Sequence, residues 1–191
     1  MFGNLDCVLE SGQWLYVAGS NGVGKTSLLR MVCGLASIDS GDILWNGTSI
    51  HAQREAYRQD LCYMGHQNAL QESMTVNENF VFQAALGCIA PDTTQTQEVL
   101  ARFGLHGRGK QLVRHLSQGQ KRRVALSRLA ISRARLWILD EPYVAMDDAG
   151  VGLLANLIAS HLNCGGLAVL TSHQRVAIGN IPAQVLELRA E

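Results

Sequence analysis

The stretch Leu15-Tyr16-Val17-Ala18-Gly19-Ser20-Asn21-Gly22-Val23-Gly24-Lys25-Thr26-Ser27-Leu28-Leu29 changes its period partway along. Its first four residues are β-prone and stop at a glycine. From Lys25 onward Leu28, Leu29, Val32, Leu35 and Ala36 fall on one helical face. Between the two halves, Gly19 to Thr26 satisfies G-x-x-x-x-G-K-[ST]. Strand, glycine loop and helix in that order predict a phosphate cradle. Glycines let successive backbone N–H groups curl around an anion, and the helix N-terminus adds partial positive charge. Lys25 then suits the β- and γ-phosphates, and the Thr26 hydroxyl suits Mg²⁺.

A parallel sheet places ligands beyond the C-terminal ends of its strands. Leu136-Trp137-Ile138-Leu139-Asp140-Glu141 is an apolar strand ending in two carboxylates, so both acids belong beside the phosphate loop. Asp140 can hold the Mg²⁺ shell and Glu141 can polarise an attacking water. A further buried strand is predicted at Leu167–Thr171 and an alternating edge strand over 184–188. Leu153, Leu154, Leu157, Ile158 and Leu162 mark an amphipathic helix between them. Asp42 to Ile50 centres on Asn46-Gly47, a strong two-residue hairpin signal. Residues 68–135 read as mostly helical, with a loop at the Thr/Gln-rich stretch 93–97. The predicted architecture is α/β: a parallel-sheet core from 1–67 and 136–191, with a small antiparallel hairpin and a helical subdomain inserted at about 68–135.

Composition narrows the function. The chain has 191 residues, is 47% hydrophobic, and balances 16 basic against 16 acidic side chains. A core is affordable at that length, and no overall field attracts nucleic acid. The longest mostly apolar stretch, 80–90, is too short to span a bilayer, and the first residues lack the pattern of a signal peptide. Five scattered cysteines never form C-x-x-C, which predicts reduced, buried thiols rather than disulfides, zinc or covalent haem.

Leu116-Ser117-Gln118-Gly119-Gln120 precedes Lys121-Arg122-Arg123 and a helix. Ser117 suits an N-cap, and alone the run would be a helix start with a solvated basic face. In order with the phosphate loop and acidic strand, however, the pentad resembles the signature of ATP-binding-cassette ATPases. Gln67 then matches the family's Q-loop, Ala145-Met146-Asp147 its D-loop and His173 its switch histidine. Gly65-His66-Gln67, Leu126-Ser127-Arg128-Leu129, the run 136–142 and Thr171-Ser172-His173-Gln174 resemble most the ATPase subunits of cytochrome c maturation, or haem-exporter, systems.

The resemblance implies an ATPase that works as a head-to-tail dimer with integral-membrane subunits. It would sit peripherally on the cytoplasmic side of a bacterial inner membrane and drive haem transfer or release of a haem chaperone. Gly19, Ser20, Asn21, Gly22, Val23, Gly24, Lys25 and Thr26 would cradle ATP in one copy, with Ser117, Gly119 and Gln120 of the other closing on it. Lys25, Gln67, Glu141 and His173 would be catalytic, and Thr26, Gln67 and Asp140 would attend Mg²⁺. Direct haem binding and nucleic-acid binding are not expected. Three departures stand out. Gln118 replaces the commoner glycine, and Val23 a common alanine. With eighteen residues before Gly19, the family's N-terminal strand and adenine-stacking aromatic are expected to be missing. Competing readings are another transporter's ATPase, a soluble cassette ATPase of translation or DNA repair, and a non-catalytic nucleotide-binding module.

Overall fold

The computed structural model describes Gly3, residues 5–173 and residues 176–189, so Gln174 lies outside the described residues. The chain divides into two compact units. One comprises Met1–Gly65, Ala134–Pro142 and Ile158–Glu191; the other His66–Arg133 and Tyr143–Leu157.

The first unit is built on a parallel sheet of five strands. These are β1 (Trp14–Ala18), β4 (Leu61–Met64), β5 (Leu136–Leu139), β6 (Leu167–Thr171) and β7 (Gln184–Glu187), in the order β4-β5-β6-β1-β7. The two remaining strands, β2 (Leu44–Trp45) and β3 (Thr48–Ser49), pair antiparallel around Asn46 at φ 51° and Gly47 at φ 77°. Two consecutive left-handed residues match the twist of a hairpin, which is why Asn-Gly was legible there. One face of the sheet buries Leu15, Val17, Ile138 and Val169 against Leu29 of α1 (Lys25–Val32). All five residues of β6 and all four of β5 are buried, as continuous apolar runs in a parallel sheet require.

Helix α1 ends earlier than its pattern suggested. Gly34 takes φ +66° and stops it, so Leu35 and Ala36 lie past its end and Leu35 is 54% exposed. Helix α2 (Arg54–Gln59) and β4 gave no sequence signal of their own. The helix has one buried side chain, Tyr57, and the strand lacks β-branched residues. The cysteines form no disulfide and are mostly not buried: Cys33 is buried, Cys62 half-buried, and Cys7, Cys88 and Cys164 exposed. Burial pushes the Cys33 thiol up to about 12.

The second unit is helical. Helix α3 (Val76–Leu86) starts with a reciprocal capping box between Thr75 and Glu78. Helix α4 (Thr93–Arg102) occupies the stretch expected to be a loop. Asp92 accepts a hydrogen bond from the Gln95 amide at 2.7 Å, and Thr96, Val99 and Leu100 turn inward. The cap and one buried face override the low helix propensity of threonine. Helix α5 (Gln118–Ser127) begins within the signature pentad, and Phe80, Phe103, Leu105 and Leu126 are among the buried side chains here. Helix α6 (Asp148–Asn163) begins in this unit and ends in the first.

His161, near the end of α6, stacks on Trp137 with ring centroids 3.9 Å apart and contacts the Leu167 carbonyl oxygen at 3.1 Å. Burial holds its imidazole below the ordinary 6.5, outweighing the carbonyl contacts that favour protonation. The unfolded chain therefore binds the proton more readily. Stability from this group is present above pH 6.5 and is lost as pH falls through the lowered folded value. Urea midpoints should fall as pH drops from 6.5 toward that value and level off below it, and His161→Phe should flatten the limb. Identical slopes in both proteins would remove His161 as the cause.

Candidate active site

Strand β1 delivers the chain into the glycine loop at a point that only glycine fits. Gly19 has φ +147°, and a Cβ there would lie 2.8 Å from Val23 Cγ1 and 2.9 Å from the Leu188 carbonyl oxygen. Gly22 and Gly24 also hold positive φ, at 80° and 106°, and Gly24 hands the chain to α1. The backbone of Ser20, Asn21 and Val23 completes the loop. Lys25 is 9% exposed and folds back, its Nζ donating to the Gly19 carbonyl at 2.8 Å and the Ser20 carbonyl at 3.2 Å.

A chain of polar contacts runs from this loop across the strand ends. Thr26 Oγ1 donates to Asp140 Oδ2 at 2.8 Å, and Thr171 Oγ1 donates to Asp140 Oδ1 at 2.7 Å. Thr171 Oγ1 in turn accepts the Glu141 amide at 2.9 Å. Glu141 Oε2 accepts the His173 amide at 3.2 Å, and His173 Nε2 stands 3.3 Å from Glu141 Oε1. Asp140 is 1% exposed and Thr171 is fully buried, so both carboxylate oxygens of Asp140 are fixed by hydroxyls. Glu141 sits at φ +49°, a left-handed conformation that costs a non-glycine residue about 1 kcal/mol or more. Its carboxylate lies beside His173. Thr171 went unnoticed as a site residue because it reads as the last position of a buried strand. Its signal was a hydroxyl at a strand end, two positions before a histidine.

The Thr26 hydroxyl and the Asp140 carboxylate are hard oxygen donors within hydrogen-bonding distance of each other. That donor set fits a divalent cation of the Mg²⁺ type.

Gln67, the signature pentad and Ala145-Met146-Asp147 belong to the second unit, whereas Lys25, Thr26, Asp140, Glu141 and His173 belong to the first. Ser117 caps α5: its Oγ accepts the Gln120 amide at 3.2 Å, and Gln120 Oε1 accepts the Ser117 amide at 3.0 Å. The Gln120 side chain is thereby committed to the cap, while the following helix start offers a positive end. Gly119 packs tightly, since a Cβ there would lie 2.8 Å from the Ala145 carbonyl oxygen, and Ala145 itself has φ +62°. Gln118 occupies the first turn of α5 without disturbing the capping box.

The model of the ABC transporter family matches residues 2–144. A cytochrome c biogenesis ATP-binding export protein CcmA from Albidiferax ferrireducens is 77% identical over 190 residues, covering 100% of this chain and 90% of that protein. Its namesakes from Dechloromonas aromatica and Escherichia coli K12 are 49% and 45% identical, covering 99% and 91% of this chain and 92% and 82% of theirs. A putative ABC transporter ATP-binding protein from Pyrococcus furiosus has the same fold, with a TM-score of 0.84 at 21% identity over 98% of this chain and 90% of that one. An ATP-binding cassette solved as a dimer in a post-hydrolysis state, bound to ADP and phosphate, gives a TM-score of 0.75 at 20% identity over 91% and 80%. Likeness of this extent, over a strand-loop-helix that closes on two buried acids, makes the chain a member of the ABC transporter ATPases, within the branch of the cytochrome c biogenesis ATP-binding export proteins.

Proposed function

We propose that this chain is the ATP-hydrolysing subunit of a cytochrome c maturation complex, working from the cytoplasmic face of a bacterial inner membrane. On this reading it powers haem transfer or release of a haem-loaded chaperone. The observation that carries the reading is the polar chain Thr26–Asp140–Thr171–Glu141–His173 in a protein 77% identical to a cytochrome c biogenesis ATP-binding export protein. Among the described residues no helix is long and apolar enough to cross a membrane. On this reading integral-membrane partner subunits attach it to the bilayer.

In the proposed cycle the loop amides of residues 19–26 bind the triphosphate. Lys25 exchanges its two carbonyl partners for phosphate oxygens. Thr26 and Asp140, with Gln67, would hold Mg²⁺, and the ion would supply positive charge to offset that of the phosphates. Glu141 accepts a proton from the attacking water, and His173 keeps the Glu141 carboxylate turned toward that water. A second copy presents the α5 N-terminus at Ser117 and Gly119 to the γ-phosphate, so closure of two chains completes each site.

Complementation tests the assignment. In cells lacking the native ATPase subunit, this chain should restore covalent haem attachment to c-type cytochromes, and Lys25→Ala should abolish the rescue while leaving protein levels unchanged. Purification from membranes should bring down small integral-membrane subunits. Rescue by Lys25→Ala, or capture of ribosomes in their place, would overturn the reading.

A further inference from the structure

Three consecutive basic residues follow the signature pentad, and in the second unit each reaches a different partner. Lys121 Nζ donates to Glu72 Oε1 at 2.5 Å, and Arg122 Nη1 donates to Asn68 Oδ1 at 3.1 Å. Arg123 Nη2 pairs with Asp147 Oδ1. Successive helix positions project about 100° apart, so one turn of α5 can face three directions. Arg122 is 3% exposed, and a charge so deeply buried is kept only where its partners are well placed.

The contacted segments are those that carry Gln67 and the turn before α6. Residues 68–72 form a strap directly after Gln67, and side chains hold it almost continuously. Besides Asn68 and Glu72, the Ala69 carbonyl accepts from Gln83 Nε2 at 2.7 Å, with Arg128 Nη1 on Gln83 Oε1 at 2.6 Å. Fully buried Asn79 takes both the amide and the carbonyl of Gln71, at 2.8 and 2.9 Å. On the other side Asp147 Oδ1 also accepts the Gly150 amide at 3.0 Å, which fixes the start of α6. The Arg123 guanidinium and that amide hold the Asp147 carboxyl below its usual range. Gly119 lies close against the Ala145 carbonyl, as described above.

We infer that Lys121, Arg122 and Arg123 are positioning residues: they lock the strap behind Gln67 and the 145–147 turn to the signature helix, so that these three nucleotide-facing elements move as one body. The basic run is not a solvated face. Partly exposed ion pairs contribute little to stability, so the Arg123–Asp147 pair acts on orientation. This inference rests on the proposed role of Gln67 at the Mg²⁺ site.

The test is a pair of mutant cycles on ATP hydrolysis by the full chain, with melting temperature followed in parallel. Asn68→Ala should lower kcat roughly 2- to 30-fold, the range expected of coupling residues, with KM for ATP and melting temperature unchanged. Combined with Gln67→Ala it should add no further loss, and Asn68→Asp, which keeps an acceptor for Arg122, should restore the rate. Native turnover in Asn68→Ala, or losses that multiply with Gln67→Ala, would overturn the inference. A silent Gln67→Ala would instead sink the assignment of Gln67. The lock is then judged on Arg123→Gln, Asp147→Asn and their combination, which should slow turnover equally; multiplying losses would overturn it.

Discussion

Glu141→Gln is expected to cut ATP turnover by about 10²–10⁴-fold, the usual contribution of a general base, while leaving nucleotide binding intact. The amide keeps the volume and the hydrogen-bond acceptor for the His173 backbone but cannot take a proton. Because the neighbouring contacts of Asp140 with Thr26 and Thr171 are untouched, the phosphate loop should keep its shape. With hydrolysis blocked, a nucleotide-bridged dimer should accumulate in sizing experiments with ATP and disappear with ADP. Steady-state hydrolysis at the native rate would remove Glu141 from its role.

Gly119→Ala is the second large effect. The added methyl would lie 2.8 Å from the Ala145 carbonyl oxygen, a backbone atom already held at positive φ. Neither side can yield without moving the α5 start or the 145–147 turn. Overpacking of this kind costs about 1–3 kcal/mol, which a domain of this size tolerates. The functional cost should be larger, since a displacement near 1 Å at a positioning element can cost roughly 10² in rate. Nucleotide affinity of the isolated chain, set at residues 19–26, should stay near native. A fully active Gly119→Ala chain would show that the tight approach has no catalytic meaning.

Much of the site was legible because its residues answer to local rules. Gly19, Gly22 and Gly24 sit where φ must be positive, and the apolar run before Asp140 sits where a parallel strand must end. What stayed hidden depends on partners distant in sequence. Thr171 gains its role from Asp140, thirty-one positions away, and Arg122 from Asn68, fifty-four away. The stretch 93–97 misled because threonine and glutamine suggest a loop until the Asp92 cap and a buried face decide otherwise. Strand β4 was concealed by ordinary composition; its register beside β5 is what defines it.

On the proposed function each ATP is shared between the loop at 19–26 of one copy and the signature turn of the other. Mixing two inactive variants addresses it directly. Lys25→Ala disables the loop and Gly119→Ala the signature, and a mixed head-to-tail dimer holds one site with both faults and one with neither. Hydrolysis should reappear on mixing, rising with the fraction of mixed dimers and bridged by ATP. If every site were built within a single chain, the mixture would remain as inactive as its parts, and ATP would not be shared between copies.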